Sequence, residues 1–169
     1  VIMPSTDLGW YTDTKYDMNY WTFISEELPE ICHELFPQLT TKREKTFVVG
    51  LSMGGYGAFK LALAKPEKYA AVASLSGAVD ITGNEEALLS IRGKKYWQVI
   101  FGSFEELQGS INDPRFLIDQ LIKDGKEPPK IFLCCGEDDF LLSASKSISE
   151  ELTKKGIEHR FETGPGDHN

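Results

Sequence analysis

The chain has 169 residues, 41% hydrophobic and 26% charged, a balance that fits one folded domain with a single core. Its 26 acidic residues outnumber 18 basic ones and give a net charge of −8, which argues against a nucleic acid or an anionic membrane surface as partner. No apolar stretch is long enough to span a bilayer, and no H-E-x-x-H, paired C-x-x-C or G-x-x-x-x-G-K-[ST] pattern gives a basis for a metal or nucleotide cofactor, so none is expected.

In chain order, the first apolar run, Val1-Ile2-Met3-Pro4, reads as a buried strand, and Trp10 and Tyr11 follow it at the edge where a pocket would form. From Asn19 to Phe36 the residues Tyr20, Phe23, Ile24, Leu28, Ile31 and Leu35 recur at helical spacing. Pro29 kinks this helix or starts its second half, and Pro37 ends it. His33 reads as a solvent-facing or boundary residue of the same helix.

The strongest signal comes next. The run Thr46-Phe47-Val48-Val49 leads into Gly50-Leu51-Ser52-Met53-Gly54, and an Ala/Leu-rich helix-favouring stretch follows. Strand, sharp turn and helix around G-x-S-x-G form a nucleophile elbow, which lifts the Ser52 hydroxyl above the sheet edge in a strained conformation. Side chains at Gly50 and Gly54 are expected to collide with the neighbouring backbone. The Met53 N–H, at the head of the helix, is expected to stabilise an oxyanion.

Pro66 closes the elbow helix and Tyr69 to Ser76 reads as the next buried strand. From Gly77 to Pro129 the periodicity weakens, which reads as a cap-like insertion at about 77–129. Within it Tyr96-Trp97-Gln98-Val99-Ile100-Phe101 is strongly aromatic, and Trp97 and Phe101 either enclose substrate or anchor the insertion to the sheet. Asp113 and Pro114 read as N-cap and first residue of a helix running through Ile122.

A nucleophilic serine needs a base, and the base needs an orienting acid. Lys130 to Cys135 reads as a buried strand that ends at Gly136 beside Glu137, Asp138 and Asp139, three candidates among which spacing does not choose. Cys134 and Cys135 read as free buried thiols. His159, between Ile157 and Phe161, is read as facing away from the core side of a strand. His168 lies in the loop Gly164-Pro165-Gly166-Asp167-His168, where a side chain can swing over the sheet edge, and is the candidate base. The order of elements is that of an α/β protein with a parallel sheet and crossover helices.

Four blocks together resemble the tributyrin-esterase group of the esterase-D-like α/β hydrolases: residues 1–13, the elbow at 50–58, Cys135 to Leu141, and Pro165 to His168. S-formylglutathione hydrolases, feruloyl esterases and acetyl-xylan esterases are relatives of that group. The resemblance implies an α/β-hydrolase fold and a serine carboxylesterase acting on short acyl esters, with Asp139 as the acid and His168 as the base. It also puts Phe140 beside the acid, and Phe140, Trp10, Tyr11 and Trp97 form the set expected to meet a small-molecule ester. A homo-oligomer is left open, and the default compartment is cytoplasmic. Relatives carry further N-terminal strands and a closing helix, so the functional protein is expected to extend about 80 to 100 residues further at its N-terminus.

Overall fold

The computed structural model describes residues 1–83 and 85–168. The helices in chain order are α1 (Tyr20–Thr22), α2 (Leu28–Leu35), α3 (Met53–Ala64), α4 (Glu85–Ile91), α5 (Lys94–Phe101), α6 (Phe104–Leu107), α7 (Pro114–Lys123) and α8 (Leu142–Lys154). The strands are β1 (Phe47–Leu51), β2 (Ala71–Leu75), β3 (Lys130–Gly136) and β4 (His159–Gly164). They pair in parallel in the order β1-β2-β3-β4, so each connection is a crossover, through α3, then through α7, then through α8. This is the parallel sheet and helix arrangement of an α/β-hydrolase fold.

Alternation along the strands decides what the helices cover. Val72, Ile131 and Leu133 turn to one face and pack with Phe59, Ile118 and Ile148 from the three crossover helices. On β1 the opposite set, Phe47, Val49 and Leu51, is 65%, 65% and 63% exposed. α7 begins as expected: the Asp113 side chain accepts from the Arg115 N–H at 3.0 Å and Pro114 is its first residue.

Three expectations change. Val1 to Pro4 forms no strand, and Val1 and Met3 are exposed, because a strand requires a pairing neighbour and β1 pairs with β2 alone among the described residues. The helix of residues 20–35 carries a π-helical turn at Phe23–Glu27, just before Pro29. Pro29 has no N–H to offer the Ser25 carbonyl, which instead accepts from Lys68 Nζ at 3.2 Å. The wider turn shifts the buried stripe to Trp21, Ile24 and Cys32 and leaves Ile31 and Leu35 exposed. Finally, the segment at 77–129 is not one unit in its packing. Residues of α4, α5 and α6 join an aromatic cluster with Trp10 and Tyr56, whereas Leu117, Ile118 and Leu121 of α7 belong to the main core under the sheet.

Candidate active site

Leu51, Leu75 and Cys134 are register partners, and β3 and β4 run two residues further to Gly136 and Gly164, so the elbow and the acidic turn meet at the C-terminal ends of the strands. The Ser52 N–H donates to the Leu75 carbonyl at 2.9 Å, carrying the β1–β2 ladder one residue past the strand. The chain then reverses into α3 through Ser52 itself, at φ 55° and ψ −118°, a region that a serine occupies only when its surroundings hold it there. Gly50 makes this reversal sterically feasible, since a Cβ there would stand 2.0 Å from the Gly54 carbonyl oxygen. The expectation for Gly54 does not hold: a Cβ on it would meet nothing closer than the Tyr11 hydroxyl at 3.4 Å. Its neighbour Gly55 is the tight position, with Ser74 Oγ at 2.7 Å and the Gly77 Cα at 2.8 Å, because α3 crosses β2 there.

Past β3 and β4 a second set of contacts delivers His168. The Glu137 N–H donates to the Gly164 carbonyl and the Asp138 N–H to the Gly166 carbonyl, each at 2.9 Å. Gly136 permits this closeness, as a Cβ on it would lie 2.3 Å from the Gly166 oxygen. The loop is thereby drawn over the end of β3, with His168 Nε2 2.8 Å from Ser52 Oγ and Nδ1 2.9 Å from Asp139 Oδ2. With the proton on Nδ1, donated to Asp139, Nε2 is free to accept from the serine hydroxyl.

Asp139 is buried, and its Oδ1 accepts from the Leu141 N–H at 2.8 Å. Burial pushes its carboxyl up, but the Leu141 N–H, the Ser76 hydroxyl and His168 outweigh that effect and hold it below the usual carboxylate range. Glu137 and Asp138 are exposed. Of the three acidic candidates, the structure brings Asp139 to His168.

The other histidines are occupied elsewhere. His33 Nδ1 is 2.6 Å from the Pro29 carbonyl oxygen. His159 does not face away from the core side: it shares strand parity with Phe161, is half-buried, and bonds Ser149 Oγ of α8 at 2.7 Å.

The four residues expected to meet substrate divide into two pairs. Phe140 is 59% exposed, its ring centroid is 4.5 Å from that of His168, and it lines a cleft of about 290 Å³ with Ala78, Ile81, Leu88 and Leu141. Tyr11 is half-buried, with its ring against Gly57 and its hydroxyl near Gly54. Trp10 and Trp97 are packing residues instead. Their rings meet edge to face at 4.9 Å in the aromatic cluster, and their indole N–H groups are consumed by the Tyr96 hydroxyl and the Leu88 carbonyl, each at 2.8 Å. Phe101 is buried in the same cluster, with its ring packed against those of Trp10, Tyr56 and Trp97.

Sequence reading missed two contributors. Leu141 supplies an N–H to the acid, for which the sequence carries no signal. Lys60 is fully buried beside the Trp10–Tyr11 turn, and a lone lysine within Phe59-Lys60-Leu61-Ala62-Leu63 was the available sign.

Among the described residues no cluster of three or more His, Cys, Asp or Glu side chains could hold a metal ion, and no helix is long and apolar enough to cross a membrane. The chain is 32% identical to an acetyl esterase of Caldicellulosiruptor saccharolyticus, over 99% of this chain and 65% of that protein. It is 28% identical to an S-formylglutathione hydrolase of Bos taurus, over 92% of this chain and 57% of the relative. Among solved structures, the substrate-bound fluorophosphonate-binding serine hydrolase F of Staphylococcus aureus superposes with a TM-score of 0.89 at 32% identity, covering 100% of this chain and 64% of that one. The chain thus spans slightly less than two thirds of the relatives it matches. Residues 5–169 match the family described as putative esterase, and with the fold and the Ser52–His168–Asp139 geometry this places the chain in that family, within the esterase-D-like group.

Proposed function

We propose that the protein is a serine carboxylesterase for short-chain acyl esters of the tributyrin type, working through an acyl-enzyme. The observation that carries this reading is the unbroken hydrogen-bonded series from Ser52 Oγ through the His168 ring to Asp139. Ser52 Oγ attacks the ester carbonyl as its proton passes to His168 Nε2, and Asp139 holds the ring in the required tautomer and stabilises its charge. The developing oxyanion meets the Met53 N–H, one of the donors at the head of α3 without a partner in the helix. Collapse breaks the ester C–O bond, and His168 returns its proton to the departing alkoxide. Water then attacks the acyl carbon as its proton passes to the same nitrogen, and the Ser52 Oγ–acyl bond breaks as that proton returns to Oγ, releasing the acid. Phe140 and the cleft beside it, lined by Ala78, Ile81, Leu88 and Leu141, take one arm of the ester.

A second reading within the same chemistry is a thioester hydrolase acting on S-formylglutathione, favoured by the similarity to the bovine enzyme of that name. Esters of plant cell-wall acyl groups are a further substrate class implied by the resemblance. An inactive hydrolase fold used for binding is disfavoured by the intact hydrogen-bonded series. Turnover by the full-length protein of p-nitrophenyl acetate, butyrate and octanoate, of tributyrin and of S-formylglutathione separates these readings. Short esters should be turned over fastest. A dominant rate on S-formylglutathione would move the assignment to the thioesterase, and no turnover of any substrate would refute the enzymatic reading.

A further inference from the structure

Lys60 lies two turns along α3 from Ser52, with no part of its side chain exposed. An ammonium group is rarely buried without partners, and this one has several. Nζ donates to the Asn112 side-chain oxygen at 2.6 Å and to the Tyr11 carbonyl at 2.7 Å, has Thr12 Oγ1 at 3.4 Å, and stands 4.4 Å from the centroid of the Trp21 ring. Asn112 is held in turn, since its carbonyl accepts from the Tyr56 hydroxyl at 2.8 Å. One side chain therefore joins the turn at residues 10–12, the approach to α7, and α1.

The turn at residues 10–12 needs such a restraint. Trp10 and Tyr11 each have φ of 50°, in the left-handed region that costs a non-glycine residue free energy. Successive strained residues persist where surrounding bonds over-determine them. Here those bonds are Lys60 to the Tyr11 carbonyl and the Thr12 hydroxyl to the Trp10 carbonyl at 2.8 Å. The strained turn lays the Tyr11 ring along α3, where a Cβ on Gly57 would be 2.3 Å from the ring and one on Gly54 would be 3.4 Å from the hydroxyl. Gly54 directly follows Met53.

We propose that Lys60 is a positioning residue for the reaction site: the N–H groups of its Nζ, available in the charged and the neutral form alike, hold the left-handed Trp10–Tyr11 turn on α3 and so fix the Tyr11 hydroxyl beside the helix turn that carries Met53. The phenol then meets the carbonyl end of a bound ester. The effect on turnover rests on the esterase reading above, whereas the tether itself does not.

The test uses the full-length protein with Lys60→Met, which keeps length but removes the donors, with Tyr11→Phe, and with both. In Lys60→Met the amides of residues 10–12 should exchange with solvent at least about 10-fold faster, while those of β1 and β3 stay at parent rates. With p-nitrophenyl acetate each single variant should lose about 10-fold in kcat/KM, and the double variant should fall no further than Lys60→Met alone. Unchanged exchange at residues 10–12, equal acceleration throughout the sheet, or losses that multiply in the double variant would each overturn the proposal. Should Lys60→Met fail to fold, Asn112→Leu removes the other close acceptor of the ammonium group and is read by the same exchange pattern. A parent protein inert to every ester would remove the esterase reading and leave exchange at residues 10–12 to decide the tether.

Discussion

Two structures flank Ser52, and they are built on different principles. On one flank, His168 and Asp139 extend from the ends of β4 and β3, and the parallel register sets their spacing from the end of β1. On the other flank, Tyr11 belongs to no sheet, and a lysine 49 residues further along the chain holds it in place. Backbone register, with a close-approach glycine and backbone N–H donors from Glu137, Asp138 and Leu141, can place His168 and Asp139 without a buried side-chain tether. A strained turn outside the sheet needs a buried polar tether, and the Lys60 head group gives up its hydration to provide one.

Deleting chemistry from the sheet-borne flank should have the largest effect. Ser52→Ala should lose on the order of 10⁴ to 10⁶ in kcat while thermal stability stays near the parent, since the hydroxyl makes no packing contact of consequence. A fluorophosphonate probe should label the parent on the peptide containing Ser52 and should leave the variant unlabelled. Near-parental turnover by Ser52→Ala would defeat the mechanism. Next in size is Asp139→Asn, expected to cost on the order of 10² to 10⁴ in kcat because the ring loses the partner that sets its tautomer. Asp138→Asn should stay within about twofold of the parent, as that exposed position contributes its backbone N–H rather than its carboxylate. The opposite ranking of these two variants would reverse the choice of acid.

Glycines allow each flank to be disturbed without touching a reacting group. In Gly50→Ala the new methyl meets the Gly54 backbone oxygen at 2.0 Å, and in Gly57→Ala it meets the Tyr11 ring at 2.3 Å. Both should lose about 1 to 3 kcal/mol of stability, because neither neighbour is the far end of a movable side chain. They should differ in function. Gly50→Ala distorts the elbow and should abolish fluorophosphonate labelling, whereas Gly57→Ala should keep labelling and raise KM, measured with p-nitrophenyl butyrate. Gly54→Ala meets only a 3.4 Å contact and should behave like the parent. Loss of labelling in Gly57→Ala would show that the two flanks are not separable.

The flanks also differ in how far the sequence revealed them. The elbow was readable because its ingredients are contiguous: an apolar run, glycines around a serine, and a helix-favouring stretch. His168 and the acidic cluster were readable because each follows a strand that hydrophobicity identifies. The choice of Asp139 within the cluster came from resemblance alone, since the burial and the Leu141 N–H that distinguish it are tertiary features. The other flank was legible only as aromatic residues after an apolar run. Nothing local separates Tyr11, which lies along α3, from Trp10, which is sealed in the aromatic cluster, because left-handed backbone at both residues decides which ring goes where. The stripe of residues 20–35 was misplaced for a similar reason, as helical periodicity does not register a π-helical turn until the position of Pro29 is weighed against the Ser25 carbonyl.

The smallest expected effect separates the flanks by pH. Asp139 is held below the usual carboxylate range, so the folded protein releases that proton more readily than the unfolded chain. Its contribution to stability is present above the ordinary aspartate value of about 3.9 and is lost as pH falls through the lower folded value. Lys60 acts at the other end of the scale. Burial pulls it from 10.5 down to about 7, partly opposed by Asp13. Tyr56, which also packs around it, is pushed up by burial, eased down by a hydrogen bond with Thr12 and raised again by Asp113, so it remains neutral across this range. Between pH 7 and 10.5 the unfolded chain binds one more proton at Lys60 than the folded chain, and this lysine therefore makes stability rise with pH. Urea unfolding from pH 7 to 9.5 should show the parent gaining stability relative to Lys60→Met as pH increases, while from pH 5 to 3 the parent should lose stability relative to Asp139→Asn. A parent-minus-variant difference that stays flat above pH 7 would mean that Lys60 keeps its proton inside the fold, and that its hydrogen bonds to Tyr11 and Asn112 outweigh its desolvation.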